Sequence, residues 1–400
     1  MPLKPTFEQT QAYLNASEPT FYKAQELAYE EMLINLGPQH PSTHGVLRLE
    51  VLLDGELVKD VVPHIGYLHR CFEKHAEKLT FQQIIPYVDR MDYAASMNST
   101  HIYAMAVEKL LGIEGNIAPR VEFIRVLVAE LNRIASHLLA LGTFANDLGA
   151  VTAFLWAMRD REHILRMLEW LTGARQLYNY IWVGGLYYDL PLGFEERCLE
   201  LVHYLPPKLR EFETLVLENP IFMKRTQGLS ALKLAEAINL GVTGPMLRAC
   251  GLAYDLRRIE AYSVYPELDF AVPTAQNGDC YDRSRVRFLE ALESLHIVKQ
   301  CAEILQKKHP RSRDFDPQAA CVRKPRPMQT DLYFRGESPK GELGFYIRTL
   351  ANKSIPDRIK VRPPSFCNLS ALPFMCKNIY LADLIAVVGS LDIVLGEVDR

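Results

Sequence analysis

The sequence predicts an α+β protein, predominantly helical, with a central helix bundle, a small N-terminal antiparallel β-sheet and a mixed C-terminal segment. Three observations carry this. Residues 46–62 alternate through "VLRLEVLL", Asp54-Gly55 and "ELVKDVV", two β-rich runs joined by a strong hairpin dipeptide. From about residue 95 the apolar period changes from two to 3.6, and four long amphipathic stretches follow. The last 60 residues mix short strands, "GFYIR" and "RIKVR", with one helix near 381–391.

Each element has its own justification. Pro119 suits a helix start, and Val121, Ile124, Leu127, Leu131, Ile134, Leu138 and Leu141 mark one apolar face down to Gly142. A second helix is expected over 151–172, stopping at Gly173. A third is expected over about 193–218, and a fourth over about 284–306, closed by His309-Pro310. Segments 174–192, 219–283 and 307–365 are richer in Gly, Pro and turn residues. The chain therefore divides into an extension (1–28), a hairpin region (29–65), a helical core (66–320) and a C-terminal α/β segment (321–400).

Bulk properties narrow the function. With 400 residues, 48% of them apolar, the chain can bury a large core. Net charge is −3 and the 45 basic residues form no dense runs, which argues against a nucleic-acid partner. The most apolar stretch, "LADLIAVVGSLDIVLG", is broken by Asp383 and Asp392, so no membrane span is expected and any membrane connection comes through a partner. The N-terminus lacks the pattern of a secretory signal. Eight scattered cysteines include no Cys-x-x-Cys pair, which argues against a zinc knuckle or a locally ligated iron–sulfur cluster and fits a reducing compartment.

Several polar residues stand in apolar settings. Glu130, Arg133 and His137 share one face of the first helix; they read as a solvated stripe or, because that helix is apolar nearly all round, as a buried and paired one. Asp147, in "LGTFANDLGA", reads first as an ordinary helix N-cap. "PYVDRMDY" (86–93) gathers two Asp, an Arg and two Tyr; taken alone, its last tyrosine reads as core. "GPQHPSTHG" (37–45) holds His40 and His44 on a stretch that Pro38 and Pro41 keep from being helical. Paired histidines of that spacing suit zinc on a helix, but here there is neither a helix nor an accompanying carboxylate. A loop histidine can instead donate to a ligand oxygen and pass on a proton near neutral pH.

Taken together, "GPQHPSTHGVLRL" (37–49), "VPHIGYLHR.FEK" (62–74), "DRMDY" (89–93), "ELNRIASHL" (130–138), "RPPSF.NL..LP" (362–373) and "GEVDR" (396–400) resemble the 49-kDa, or D, subunit family of respiratory complex I. That family is similar in fold to the large subunits of nickel–iron hydrogenases, whose metal is held by two Cys-x-x-Cys motifs. The matching segments here, "RMDYAAS" (90–96) and "LDIVLGEVDR" (391–400), carry no cysteine, so no metal is expected and the cavity should take a quinone headgroup.

The resemblance implies a quinone-site subunit of a proton-pumping NADH:quinone oxidoreductase, inactive alone. His44 and Tyr93 would reach the quinone oxygens, and Asp147 would pair with the histidine and couple reduction to pumping. Thr143 and Val394 would line the quinone channel. Arg70 and His137 would lie near a [4Fe–4S] cluster held by a partner. His40 is expected to fix its loop, and Glu130 and Arg133 are left without a definite role. The substrate would be menaquinone or ubiquinone. Partners would be the B, C and I subunits of the peripheral arm and the H subunit of the membrane arm, at the cytoplasmic face of the bacterial inner membrane.

Two departures from the family pattern stand out. Leu177 replaces a histidine near the cluster, which implies a lower cluster potential with little pH dependence. Cys71 replaces a glycine and is expected to fill a packing gap. The competing classes are a ferredoxin-linked relative, a hydrogenase large subunit and a non-catalytic scaffold.

Overall fold

The computed structural model describes residues 31–39, 45–322, 325–327, 330–350 and 353–400. The N-terminal sheet comprises Glu31–Leu36, Arg48–Asp54 and Leu57–His64, paired antiparallel in sequence order. As Asp54-Gly55 predicts, the last two form a hairpin, and Gly55 supplies the positive φ that its tight turn requires (60°). Leu49, Val51, Leu53, Val58 and Val61 are buried from this sheet into the main core.

The bundle consists of Pro119–Asp147, Val151–Thr172, Phe194–Leu215 and Cys280–Lys307. The 119–147 helix is central, packing against 280–307 and 151–172 and also against the helices Ser96–Leu111 and Leu381–Leu391. Being enclosed on several sides explains why it is apolar nearly all round rather than striped.

This helix runs five residues past the expected stop at Gly142. A Cβ on Gly142 would lie 2.9 Å from Ala157 Cβ, so the glycine lets the 119–147 and 151–172 helices approach closely and does not terminate anything. Asp147 is accordingly the last residue of its helix; the expectation of an N-cap is wrong, and Ala150 precedes the next helix.

A second core lies under the C-terminal sheet of Asp331–Ser338, Gly341–Thr349 and Pro356–Arg362, again antiparallel in order. Leu343, Phe345, Ile347, Ile359 and Val361 pack there against Phe81, Ile84 and Val88 of helix Phe81–Asp89 and Tyr103 of helix 96–111. The chain then returns to the bundle through Pro364–Leu369, the 381–391 helix and a final turn, Leu395–Asp399. No helix among the described residues is long and apolar enough to cross a membrane.

The Ser338–Gly341 turn is the feature that builds the site. Hairpin tips ordinarily face water, but Glu337, Ser338 and Lys340 are all buried here. The tip enters because glycine faces glycine: a Cβ on Gly341 would lie 2.8 Å from Gly244 N, and one on Gly244 2.5 Å from Lys340 O. Asn368 Nδ2 donates to Lys340 O (3.2 Å) and Glu342 N to Thr243 Oγ1 (3.0 Å), holding the tip in place.

Candidate functional site

Lys340 delivers an ammonium group to the interior. Its Nζ donates to Ser136 Oγ on the 119–147 helix (3.1 Å) and lies 3.2 Å from Asp92 Oδ2 and 3.9 Å from Asp392 Oδ2. Arg287 of the 280–307 helix stands 3.8 Å from the same Asp392 oxygen. Glu397, fully buried, accepts Ser365 N–H at 2.9 Å. Burial and the facing Asp92, opposed by Lys340, push its carboxyl up to about 8.

Tyr93 borders this cluster and is half-buried. Burial and the adjacent Asp92 raise its phenol above the ordinary value, with Lys340 and Arg70 opposing. Gln176 Nε2 donates to its backbone carbonyl (3.0 Å). The ring packs on the final helical turn: a Cβ on Gly396 would lie 2.5 Å from Met91 O and 3.4 Å from Tyr93 Cδ1. The isolated reading of Tyr93 as plain core therefore fails; it stands at the rim of a buried ion cluster.

A second tier of charges lies deeper. Glu290 Oε1 accepts from Arg248 Nε (2.6 Å), while Oε2 is 3.2 Å from His137 Nε2. Arg248 also meets Glu337 (2.7 Å). Further in, Glu130 joins Arg133, Arg257 and the Tyr265 hydroxyl, and Arg257 pairs with Asp255 at 2.7 Å. These ions are essentially inaccessible to solvent, so each must find its counter-charge within the fold. Glu130, Arg133 and His137 are thus a buried and paired stripe. Burial lowers the His137 pKa, favouring neutral imidazole despite Glu290.

The other expected site residues distribute as follows. Arg70 is exposed, donating through Nη2 to Arg90 O (2.8 Å), and its backbone N–H meets Arg400 O (3.3 Å). Its strand-to-helix segment is clamped by Asp399, whose carboxylate accepts Gly66 and Leu68 N–H at 2.8 and 2.7 Å. Val394 is buried before the final turn, its N–H on Ser365 Oγ (3.2 Å).

Thr143 and Asp147 share a face of the 119–147 helix, one turn apart and half-buried. At about 1.5 Å per residue, Asp147 stands roughly 16 Å along the axis from Ser136, so the candidate site is elongated. A carboxylate at a helix C-terminus faces the negative end of the dipole, so helix stability does not account for it. His40 and His44 lie outside the described residues.

Cys71 does not fill a gap. It is exposed and in the left-handed region (φ 55°) before the helix Phe72–Ala76, a conformation that glycine adopts without cost. Leu177 likewise has a positive φ of 61°. Lys340, Asp92, Asp392 and Glu397 were missed as a group, although Asp92 and Glu397 lie within the quoted "DRMDY" and "GEVDR". Among the described residues no group of three or more His, Cys, Asp or Glu is placed to hold a metal ion.

In class the chain is a predominantly helical α+β protein with a buried ionic site, and the comparisons make that specific. Residues 147–400 match the model of the family described as the respiratory-chain NADH dehydrogenase 49 Kd subunit. The chain is 60% identical over 392 residues to the D 1 subunit of the NADH-quinone oxidoreductase of Cytophaga hutchinsonii, covering 97% of this chain and 100% of that one. It is 58% identical over 387 residues to the D subunit of the Amoebophilus asiaticus enzyme, 96% of each chain. With the D subunit of the Chlorobium phaeovibrioides enzyme it shares 55% identity over 381 residues, 94% of each chain. The chain belongs to this family of NADH-quinone oxidoreductase D subunits, and is a subunit of such an oxidoreductase.

Proposed function

We propose that this subunit forms, with a B-type partner, the cavity in which a quinone is reduced, Tyr93 and His44 supplying the protons. A [4Fe–4S] cluster held by that partner would supply the electrons. What carries this is Tyr93: a half-buried phenol, its proton held by burial, at the rim of a buried ion cluster. A phenol of ordinary pKa ~10 is no standing acid at neutral pH, but it gives up its proton once a reduced quinone oxygen becomes strongly basic. His44 serves the second oxygen, and Asp147 stabilises its imidazolium until the proton leaves. Thr143 and Val394 line the way in.

Arg70, exposed beside the Asp399 clamp, would lie near such a cluster and its cation would stabilise added electrons there; His137, kept neutral by burial, would act from inside as a hydrogen-bonding group. The relatives' names support NADH as the electron source and a quinone as acceptor. The fold is of the hydrogenase-large-subunit type, with the metal cavity given over to the quinone. The assembly, with the B, C, I and H subunits, lies at the cytoplasmic face of the bacterial inner membrane and couples reduction to proton pumping. Photolabelling the native complex with an azido-quinone tests the placement. Label within 89–95, 139–148 or 391–396 supports it, and label confined to other subunits or to the far side of the bundle contradicts it.

A further inference from the structure

Three carboxyl groups, of Asp92, Asp392 and Glu397, surround the single ammonium of Lys340, and Arg287 offsets Asp392 from behind. Lys340 and Arg287 leave one carboxyl without a full counter-charge, and Glu397 is the one that must yield. Among the described residues Asp92 and Asp392 each have Lys340 within ion-pair distance and Glu397 has no such cation; its Oε2, like Asp92 Oδ2 and Asp392 Oδ2, also has no hydrogen-bond partner. A buried carboxylate oxygen without a donor is costly, whereas the carboxylic acid form is far less so. The push of its pKa to about 8 agrees. At neutral pH Glu397 is a stored proton next in sequence to Gly396, the residue that packs on the Tyr93 ring. The charges facing Glu397 also act on Tyr93: Asp92 raises and Lys340 lowers its pKa.

We propose that Glu397 is the reserve that reprotonates Tyr93 after each quinone reduction, with the Asp92–Lys340–Asp392 cluster between them as the switchable charge. This rests on the quinone-site reading. Tyr93 loses its O–H proton to the quinone oxygen and becomes a phenolate. The Glu397 O–H bond then breaks, and its proton passes by way of the Asp92–Lys340 pair to the phenolate oxygen. Lys340 offsets the carboxylate left behind until a solvent proton restores the acid. No electron moves in this step.

The groups facing Glu397 are Asp92 from the loop after the 81–89 helix, Lys340 from the hairpin tip and Cys367 from the 364–369 helix. Asp392, Arg287 and His137 stand one carboxylate further on. On its own turn, Asp399 is occupied by Gly66 and Leu68 N–H, and Arg400 pairs with Glu73 (3.4 Å).

The test is Glu397→Gln in the complete membrane complex. Glutamine matches the neutral acid in shape and charge, and its amide oxygen can still accept from Ser365, so a merely structural role predicts wild-type behaviour. The relay instead predicts quinone-linked turnover lowered on the order of 10²-fold, the scale of one lost proton donor. Electron flow to a hydrophilic acceptor upstream stays normal. Wild-type turnover falls as pH rises through about 8; that limb disappears in Glu397→Gln and returns in Glu397→Asp.

A wild-type rate and pH profile in Glu397→Gln overturns the relay, as does a slowed variant that keeps the alkaline limb. Should the variant fail to assemble, redox-difference infrared spectra of the wild type decide. Transient loss of a buried carboxylic-acid band during turnover supports the relay, and an unchanged band overturns it. Tyr93→Phe measured alongside separates the two levels: if it keeps full quinone reduction, the quinone assignment itself fails.

Discussion

Replacing Gly396 by alanine should disable quinone reduction without touching the proton donors. The new Cβ would stand 2.5 Å from Met91 O and 3.1 Å from Arg90 O, both backbone atoms that cannot rotate away, and 3.4 Å from Tyr93 Cδ1. Reaching ordinary contact requires the 90–93 loop and the final turn to separate by about 1 Å; overpacking of this kind costs about 1–3 kcal/mol. A displacement of about 1 Å in a group that must meet a reacting atom costs on the order of 10²-fold in rate. Membranes carrying Gly396→Ala should therefore contain assembled complex with normal electron flow to a hydrophilic acceptor, while NADH:quinone activity falls by roughly two orders of magnitude. Unchanged quinone activity would mean that Tyr93 need not be held where it is, and would refute the reasoning.

The buried charges and the strained backbone set three further outcomes. Arg125, fully buried, meets Glu108 at 2.6 and 3.0 Å and Glu122 at 2.8 Å. Arg125→Met should destabilise the chain by about 3–5 kcal/mol in a urea titration, and Glu108→Gln added to it should recover part of the loss; a wild-type midpoint in the single variant contradicts this. Cys71→Gly should be neutral to stabilising, up to about 1 kcal/mol, because relief of the left-handed backbone outweighs the added chain entropy; a clear loss of stability would assign Cys71 a contact the fold does not display. The pH dependence of stability should have two opposed contributions. Glu290 is held at about 2 because Arg248 and His137 outweigh its burial, so its contribution is present above the ordinary 4.5 and fades as pH falls toward 2. Glu397 works in reverse: its contribution is present below 4.5 and fades as pH rises toward 8. Thermal midpoints of Glu397→Gln should accordingly vary less than wild type between pH 5 and 8, and identical curves would contradict the assignment.

The bundle was legible because its helices carry long 3.6-period runs, and the first hairpin because Asp-Gly leaves few alternatives. What could not be read was the meaning of individual polar and glycine residues. "SPKG" looks like an exposed turn, and only the facing glycines, Gly244 and Gly341, distant in sequence, drive Lys340 inward. Gly142 looks like a helix stop and is a helix contact. Arg283, Arg287 and Glu290 would pass for a solvated face, yet the 381–391 helix and the short helix Pro245–Ala249 cover them. Asp147 looked like a cap because the sequence shows the end of one helix and the start of the next without the three-residue link between them. In the first three cases a partner distant in sequence decides the role, and in the last a short link does; periodicity carries neither kind of information.

The central claim is tested most directly by Tyr93→Phe in native membranes, which removes one hydroxyl and leaves the ring against Gly396. NADH oxidation would be followed with a quinone and, separately, with a hydrophilic acceptor that draws electrons upstream. Quinone reduction lost by about 10²-fold or more, with the upstream rate intact, is the predicted result. Quinone reduction at the wild-type rate would contradict the account and leave this subunit a scaffold for chemistry performed elsewhere.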